Sequence, residues 1–467
     1  MLSPVGFILV PLGFVLFCYG RKTLMWATLV FAPFTAIQVI DLGITTIAGF
    51  QFFGVLFILR CVADSVWSDT GVVKVSRANK LAALFIFVCL ASISMAVFKA
   101  GTVEVQIPYN KRWPEFFSNI VPLELSTYNF TQVIFPLFGV FLFHFFVREI
   151  QSASGLKKAI NILVWGALVV AGFHVASGVL FTLGQGTVYQ NVLGLFSAGS
   201  IEIPVRLFRA NTPAGEPGFS ALALLVGIGL LVGSVVRRTE GSSPLIRMPW
   251  LKLSVLVFAL LLNGSTTGYF GGGLLLAWTI VSSWYVGTKS VRSRARPVLY
   301  AVGGLVVVGV AGTMIQVSGM SLNEWIIEYH LAKVQGGGGS GQIRSQVTWY
   351  TLTEVFLASP ILGVGYGSHL SLSLVTFLLS NVGLLGFGIF VVFLFVVFRN
   401  AVRTARKAHI PLNRIAFMAL LVFVPFLGTL FIAKSTAGMN FGITWAVIAL
   451  AEATYQVYRR RRPHQIA

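Results

Sequence analysis

A chain of 467 residues of which 56% are hydrophobic and only 10% charged cannot keep a soluble surface wet, since soluble domains carry about 25% charged residues. The net charge of +20 would point to nucleic acid in a soluble protein. Here the Lys and Arg residues sit in short segments between long apolar runs, so no nucleic-acid partner is expected. Cys18, Cys61 and Cys89 lie in or beside apolar runs and give neither a disulfide framework nor a metal spacing.

A spanning helix needs about 20 apolar residues. In chain order, such runs predict spans near 5–20, 24–40, 44–60, 81–98, 128–147, 159–182, 218–236, 250–263, 267–287, 298–318, 371–398, 415–433 and 441–458. The first run, followed by Arg21-Lys22, resembles a signal peptide. It lacks a basic n-region and a small-residue cleavage site, so it is expected to stay as the first helix. The predicted class is an all-α polytopic membrane protein of about 12–14 transmembrane helices, with residues 1–467 forming one membrane domain.

Orientation follows from the basic residues. The segments after the odd-numbered spans, with the C-terminal tail, hold 26 of the 34 Lys and Arg residues. They include Arg237-Arg238, Lys289 to Arg296, Arg399 to Arg414 and Arg459 to Arg462, and are expected to be cytoplasmic. The opposite side carries three long connections, 99–127, 183–217 and 319–370, and nine of the 14 acidic residues. Long connections of this kind are usually functional, so the active face is expected there. Lys99, Lys111, Arg112, Arg206, Arg209, Lys333, Arg344 and Lys434 lie on that side against the charge bias. Each is either an anion ligand or a solvated loop charge.

Four stretches carry candidate chemistry. The first runs from Arg206 through Arg209 to Glu216-Pro217-Gly-Phe-Ser220 and leads into an apolar helix. Pro217 suits a first helical turn, and Glu216 is favoured there by the helix dipole, as a cap or as a functional carboxylate. Arg209 offers a fork for phosphate oxygens. The second is Gly341-Gln-Ile-Arg344 to Trp349, followed by Pro360 and the Gly363-Val-Gly365-Tyr366-Gly367-Ser-His369 turn. Residues 344–358 read as an amphipathic helix with Arg344, Thr348 and Thr351 on one face. The third is Asn381-Val-Gly383-Leu-Leu-Gly386 inside a spanning helix, where small residues permit close helix packing. The fourth is Asn263-Gly-Ser265-Thr-Thr-Gly268-Tyr269, at the outer end of the eighth span. The Gly336–Gly341 run reads as a flexible linker. His144, His174 and Glu452 fall inside spans and are expected to pack.

These four stretches, in their chain order and on one side, resemble the O-antigen ligase and polymerase superfamily over roughly residues 200–400. The resemblance implies a GT-C-like membrane glycosyltransferase of the bacterial inner membrane, with a large periplasmic loop (319–370) containing short helices. Its donor would be an undecaprenyl-diphosphate-linked oligosaccharide, and no cofactor or metal is implied. Arg209 and Arg344 correspond to the family's diphosphate-binding arginines, with Arg206 beside them. Glu216 and His369 are the candidate catalytic bases, and Tyr366 and Trp349 the candidate sugar-stacking rings. A ligase usually carries a His where this chain has Leu372-Ser373. That departure favours a repeat-unit polymerase, with a chain-length regulator protein and membrane lipid as partners, over an O-antigen ligase. A lipid-linked oligosaccharide flippase or secondary transporter is the alternative of another class. The lack of an internal repeat and the outer-face clustering of charge count against it.

Overall fold

The computed structural model describes residues 2–42, 46–67, 75–106, 120–196, 211–237, 245–286, 316–317, 320–321, 339–433 and 437–461. Within them the chain is mostly helical. The helices are α1 (Gly6–Tyr19), α2 (Arg21–Phe31), α3 (Gly49–Trp67), α4 (Arg77–Phe98), α5 (Thr127–Glu149), α6 (Ala153–Thr182), α7 (Gly186–Gly194), α8 (Pro217–Val236), α9 (Pro249–Leu262) and α10 (Thr266–Tyr285). There follow α11 (Gly339–Tyr350), a π-helical turn (Thr351–Phe356), α12 (Leu374–Lys407), α13 (Leu412–Ala433), α14 (Ala437–Asn440) and α15 (Gly442–Arg461). Small antiparallel hairpins pair β1 (Gln38–Asp41) with β2 (Thr46–Ala48), β3 (Glu104–Gln106) with β4 (Ile120–Pro122), and β5 (Gln316–Val317) with β6 (Met320–Ser321).

Helix starts follow local chemistry. The Ser76 and Ser152 hydroxyls accept the N–H groups of Asn79 and Gly155, satisfying first-turn donors of α4 and α6. Pro217 and Pro249 open α8 and α9, where a missing N–H costs nothing. Among the described residues, α3, α4, α5, α6, α8, α12 and α13 are long and apolar enough to cross a membrane, and α1 and α9 are shorter apolar helices. This supports a multi-pass membrane protein. α8 and α13 lie inside the bundle, with 89% and 78% of their apolar windows buried. Gly227, Gly229 and Gly233 let α8 approach Ala167, Val422 and Met418 closely.

The predicted second span, 24–40, is not one helix. α2 ends at Phe31, because Pro33 has no N–H to give the ladder. The apolar run beyond it forms β1, whose Val39 carbonyl accepts the Ser3 N–H. The third span accordingly starts at Gly49, after β2, and not at 44. Of the predicted span 298–318 only residues 316–317 are described, and they form a strand. In the Gly-rich run, residues 336–338 lie outside the described residues, while Gly339 to Gly341 form the first turn of α11.

The two ends of the bundle differ. At one end Arg21 pairs with Glu149 at 3.0 Å and with Asp64 at 3.9 Å, tying α2 to α5 and α3, and Arg60 pairs with Asp64 at 3.0 Å within α3. The other end carries the β1–β2 and β3–β4 hairpins, α11 and the glycine turn.

Candidate functional site

The second and third sequence stretches assemble at the hairpin end. Gly363, Gly365 and Gly367 all have positive φ (70°, 111° and 82°), as the predicted tight turn requires. Gly383 also has positive φ (64°, with ψ −170°) and breaks α12 after its first turns. The backbone bonds lost there are replaced by exchange. The Val364 and Gly365 N–H groups donate to the Ser380 and Asn381 carbonyls. The Leu384 and Leu385 N–H groups donate to the Pro360 and Ile361 carbonyls. Residues 360–365 thus fill the gap in the helix ladder, and a side chain at Gly383 would overlap the Ile361 carbonyl.

His369 closes the turn. It is fully buried. Nδ1 accepts the Gln106 N–H at 3.1 Å, so the ring proton sits on Nε2, which donates to the Thr351 hydroxyl at 2.9 Å. The Thr351 hydroxyl in turn donates to the Val347 carbonyl at 2.7 Å. Burial pushes the imidazole down from its ordinary value to about 3. Asn381 brackets the same residue: its Oδ1 accepts the His369 N–H and its Nδ2 donates to the His369 carbonyl. Asn129 at the start of α5 donates to the Tyr366 carbonyl and the Ser368 hydroxyl. The Tyr350 hydroxyl donates to the Glu104 carbonyl on β3. Ala96, Val103, Val105, Leu123, Val355 and Val364 form a small apolar core beneath.

These contacts reassign two sequence expectations. Both His369 nitrogens are engaged inside the protein, so the ring braces the π-helical turn against β3 and leaves no nitrogen for an acceptor hydroxyl. Tyr366 is 2% exposed with its ring edge-on to Phe377, so it offers no face to a sugar. Trp349, in contrast, is 70% exposed, and Arg344 is exposed on the same helix. Arg206 and Arg209 lie outside the described residues.

The first and fourth stretches form a second cluster. Glu216 is the exposed N-cap residue of α8; its carbonyl accepts the Phe219 and Ser220 N–H groups, and its carboxylate makes no cap bond. Below it, Asn263 Nδ2 donates to the Pro217 carbonyl (3.0 Å) and the Ser220 hydroxyl (2.8 Å). His174 Nε2 lies 3.0 Å from Ser220 Oγ and 3.1 Å from Asn263 Nδ2. Ser and Asn crowd the same ring nitrogen, whereas a nucleophilic triad needs them on opposite nitrogens. The cluster therefore fixes α6, α8 and α9 at their ends. Among the described residues, no group of three His, Cys, Asp or Glu side chains is placed to hold a metal.

Sequence reasoning missed Asn129, Gln106 and Thr351 as a bonded set. For Asn129 and Thr351 the available signal was a polar side chain near a helix end, whereas Gln106 bonds through its backbone N–H, and which loop each meets is set by tertiary contact. No protein-family model matches the sequence, and no curated protein is significantly similar to it.

Proposed function

We propose that the chain is a bacterial inner-membrane glycosyltransferase of GT-C-like architecture with about 12–14 spans, working on the periplasmic face. It moves a glycan from undecaprenyl diphosphate to the next lipid-linked repeat unit, and so polymerises an O-antigen or exopolysaccharide. The observation that supports this reading is a cation and an apolar surface exposed on one continuous segment. Arg344 and Trp349 are exposed on α11, and the same segment continues through the π-helical turn to Leu357 and Ile361, which stand exposed beside Leu384 and Leu385 at the break in α12. A lipid-borne diphosphate needs both a cation and an apolar surface, and the segment from Arg344 to Ile361 exposes both.

In the reaction the bond between the anomeric carbon and the diphosphate oxygen breaks as the acceptor oxygen bonds to that carbon. A guanidinium fork at Arg344, joined by Arg209 and Arg206, would stabilise the charge left on the diphosphate. The acceptor proton goes to a base, and the exposed carboxylate of Glu216 fits that role. Trp349 would stack on a sugar ring. Direct displacement inverts the anomeric centre and calls for no metal. His369 acts as a positioning residue, through Thr351.

The break in α12 gives a secondary-transporter reading a specific foothold, since transporters use discontinuous helices to hold ions. Here the Ser380, Asn381, Leu384 and Leu385 backbone groups freed by the break are all taken by residues 360–365, which disfavours it. The deciding experiment incubates purified protein with a lipid-linked repeat unit. A ladder of products supports polymerase, transfer of one glycan to lipid A core supports the ligase, and no transfer to any acceptor contradicts the glycosyltransferase reading.

A further inference from the structure

The arginine-rich end carries an unusual pair of seated ammonium groups. Lys158 Nζ on α6 lies 4.6 Å from the centroid of the Trp26 ring on α2. Lys252 Nζ on α9 lies 4.6 Å from the centroid of the Trp165 ring on α6. Lys158 and Trp165 are seven residues apart, so they share one face of α6, separated by about 10 Å along its axis. Cation–π contact fixes each charge in place. Neither α2, α6 nor α9 contains an Asp or Glu. The nearby carboxylates of Glu149 and Asp64 are paired with Arg21 and Arg60. The N-termini of α6 and α9, helices of 30 and 14 residues, point to the same end and add positive potential.

Below the charges the surface is apolar and open. Trp165 is 58% exposed, and Val169 continues its stripe down α6. Leu251, Val255 and Phe258 form a matching exposed stripe on α9. Met248, at the start of α9, is held with positive φ (49°) and is exposed beside Trp250.

We propose that this face binds one anionic phospholipid, its headgroup against Lys158 and Lys252 and its acyl chains along the α6 and α9 stripes. The charge balance selects the occupant. Two fixed ammonium groups with no carboxylate on these three helices match a headgroup of net negative charge. A zwitterionic headgroup would bring its own ammonium against them. The site lies at the end opposite Arg344, so it does not depend on the glycosyltransferase reading.

The test is native mass spectrometry of the purified full chain from micelles holding phosphatidylglycerol and phosphatidylcholine in equal amounts. With each surface lysine contributing about fivefold, wild type should retain phosphatidylglycerol over phosphatidylcholine by about thirtyfold. The Lys158→Gln/Lys252→Gln double variant should bring the preference close to one. Equal retention of both lipids by wild type, or an undiminished preference in the double variant, would overturn the proposal. Should the double variant fail to fold, Trp165→Leu provides the second reading: it frees Lys252 while keeping apolar bulk. It should cut the preference several-fold, and an unchanged preference in a folded Trp165→Leu protein would equally overturn the site.

Discussion

The two ends of the bundle are held by different physics. At the hairpin end the contacts around His369 are neutral hydrogen bonds with donors and acceptors matched: Gln106 N–H to Nδ1, Nε2–H to Thr351, and Asn381 to both sides of the His369 backbone. At the arginine-rich end the contacts are ion pairs, with Glu149 nearly buried against Arg21. A matched neutral network rigidifies a loop without placing a charge there. That suits the proposed anion-binding face, whose charge would come from exposed cations such as Arg344. A buried ion pair ties helices firmly only while both partners remain. The comparison teaches that rigidity and charge are supplied separately, the first by the turn at 360–369 and the second by α11.

The largest effect that would break this contrast is expected at Gly383. Gly383→Ala places a methyl against the Ile361 carbonyl at a positive φ, so the exchanged ladder should fail and the protein should not be recovered folded by size-exclusion chromatography. Next comes Arg21→Gln, which leaves Glu149 buried without its cation. A loss of about 3–5 kcal/mol is expected, read as a lowered unfolding midpoint in detergent. His369→Leu removes an acceptor from Gln106 and a donor from Thr351 and should cost about 2–3 kcal/mol.

The pH dependence sharpens the same comparison. Burial lowers His369 to about 3 in the folded protein against about 6.5 in an unfolded chain. Between those values the unfolded state binds the extra proton. Stability is therefore complete above about pH 6.5 and falls with acidification by up to about 1.4 kcal/mol per pH unit. His369→Gln carries no such titration, so its unfolding midpoint should change less between pH 7 and pH 5 than that of wild type. An equal change in both would contradict the neutral clasp. The smallest effect is expected at Ser220→Ala, about 1 kcal/mol, from the bonds to Asn263 and Pro217.

Much of the fold was legible in hydropathy. The starts of α4, α5, α8 and α9 follow from Ser76, Ser126, Pro217 and Pro249 preceding or opening apolar runs. The span through Pro33 was not, because an apolar run reads alike whether it continues as helix or turns into a strand. Gly383 reads as a packing residue; its role as a helix break depends on residues 360–365 arriving to take the freed bonds, which no local pattern reports. The same limit applies to the site. Arg344 stands out as a cation on the wrong side of the charge bias, but Tyr366 and Trp349 are both aromatics in a polar connection, and only packing separates the buried ring from the exposed one.

Glycan transfer is read by counting leaving groups. With purified protein and a lipid-linked repeat unit, free undecaprenyl diphosphate should appear one for one with each new glycosidic bond. Arg344→Ala should lower its release at least about a hundredfold, the loss of a charge-assisted contact to the departing group, while its unfolding midpoint stays that of wild type. Full release from a folded Arg344→Ala protein would contradict the account.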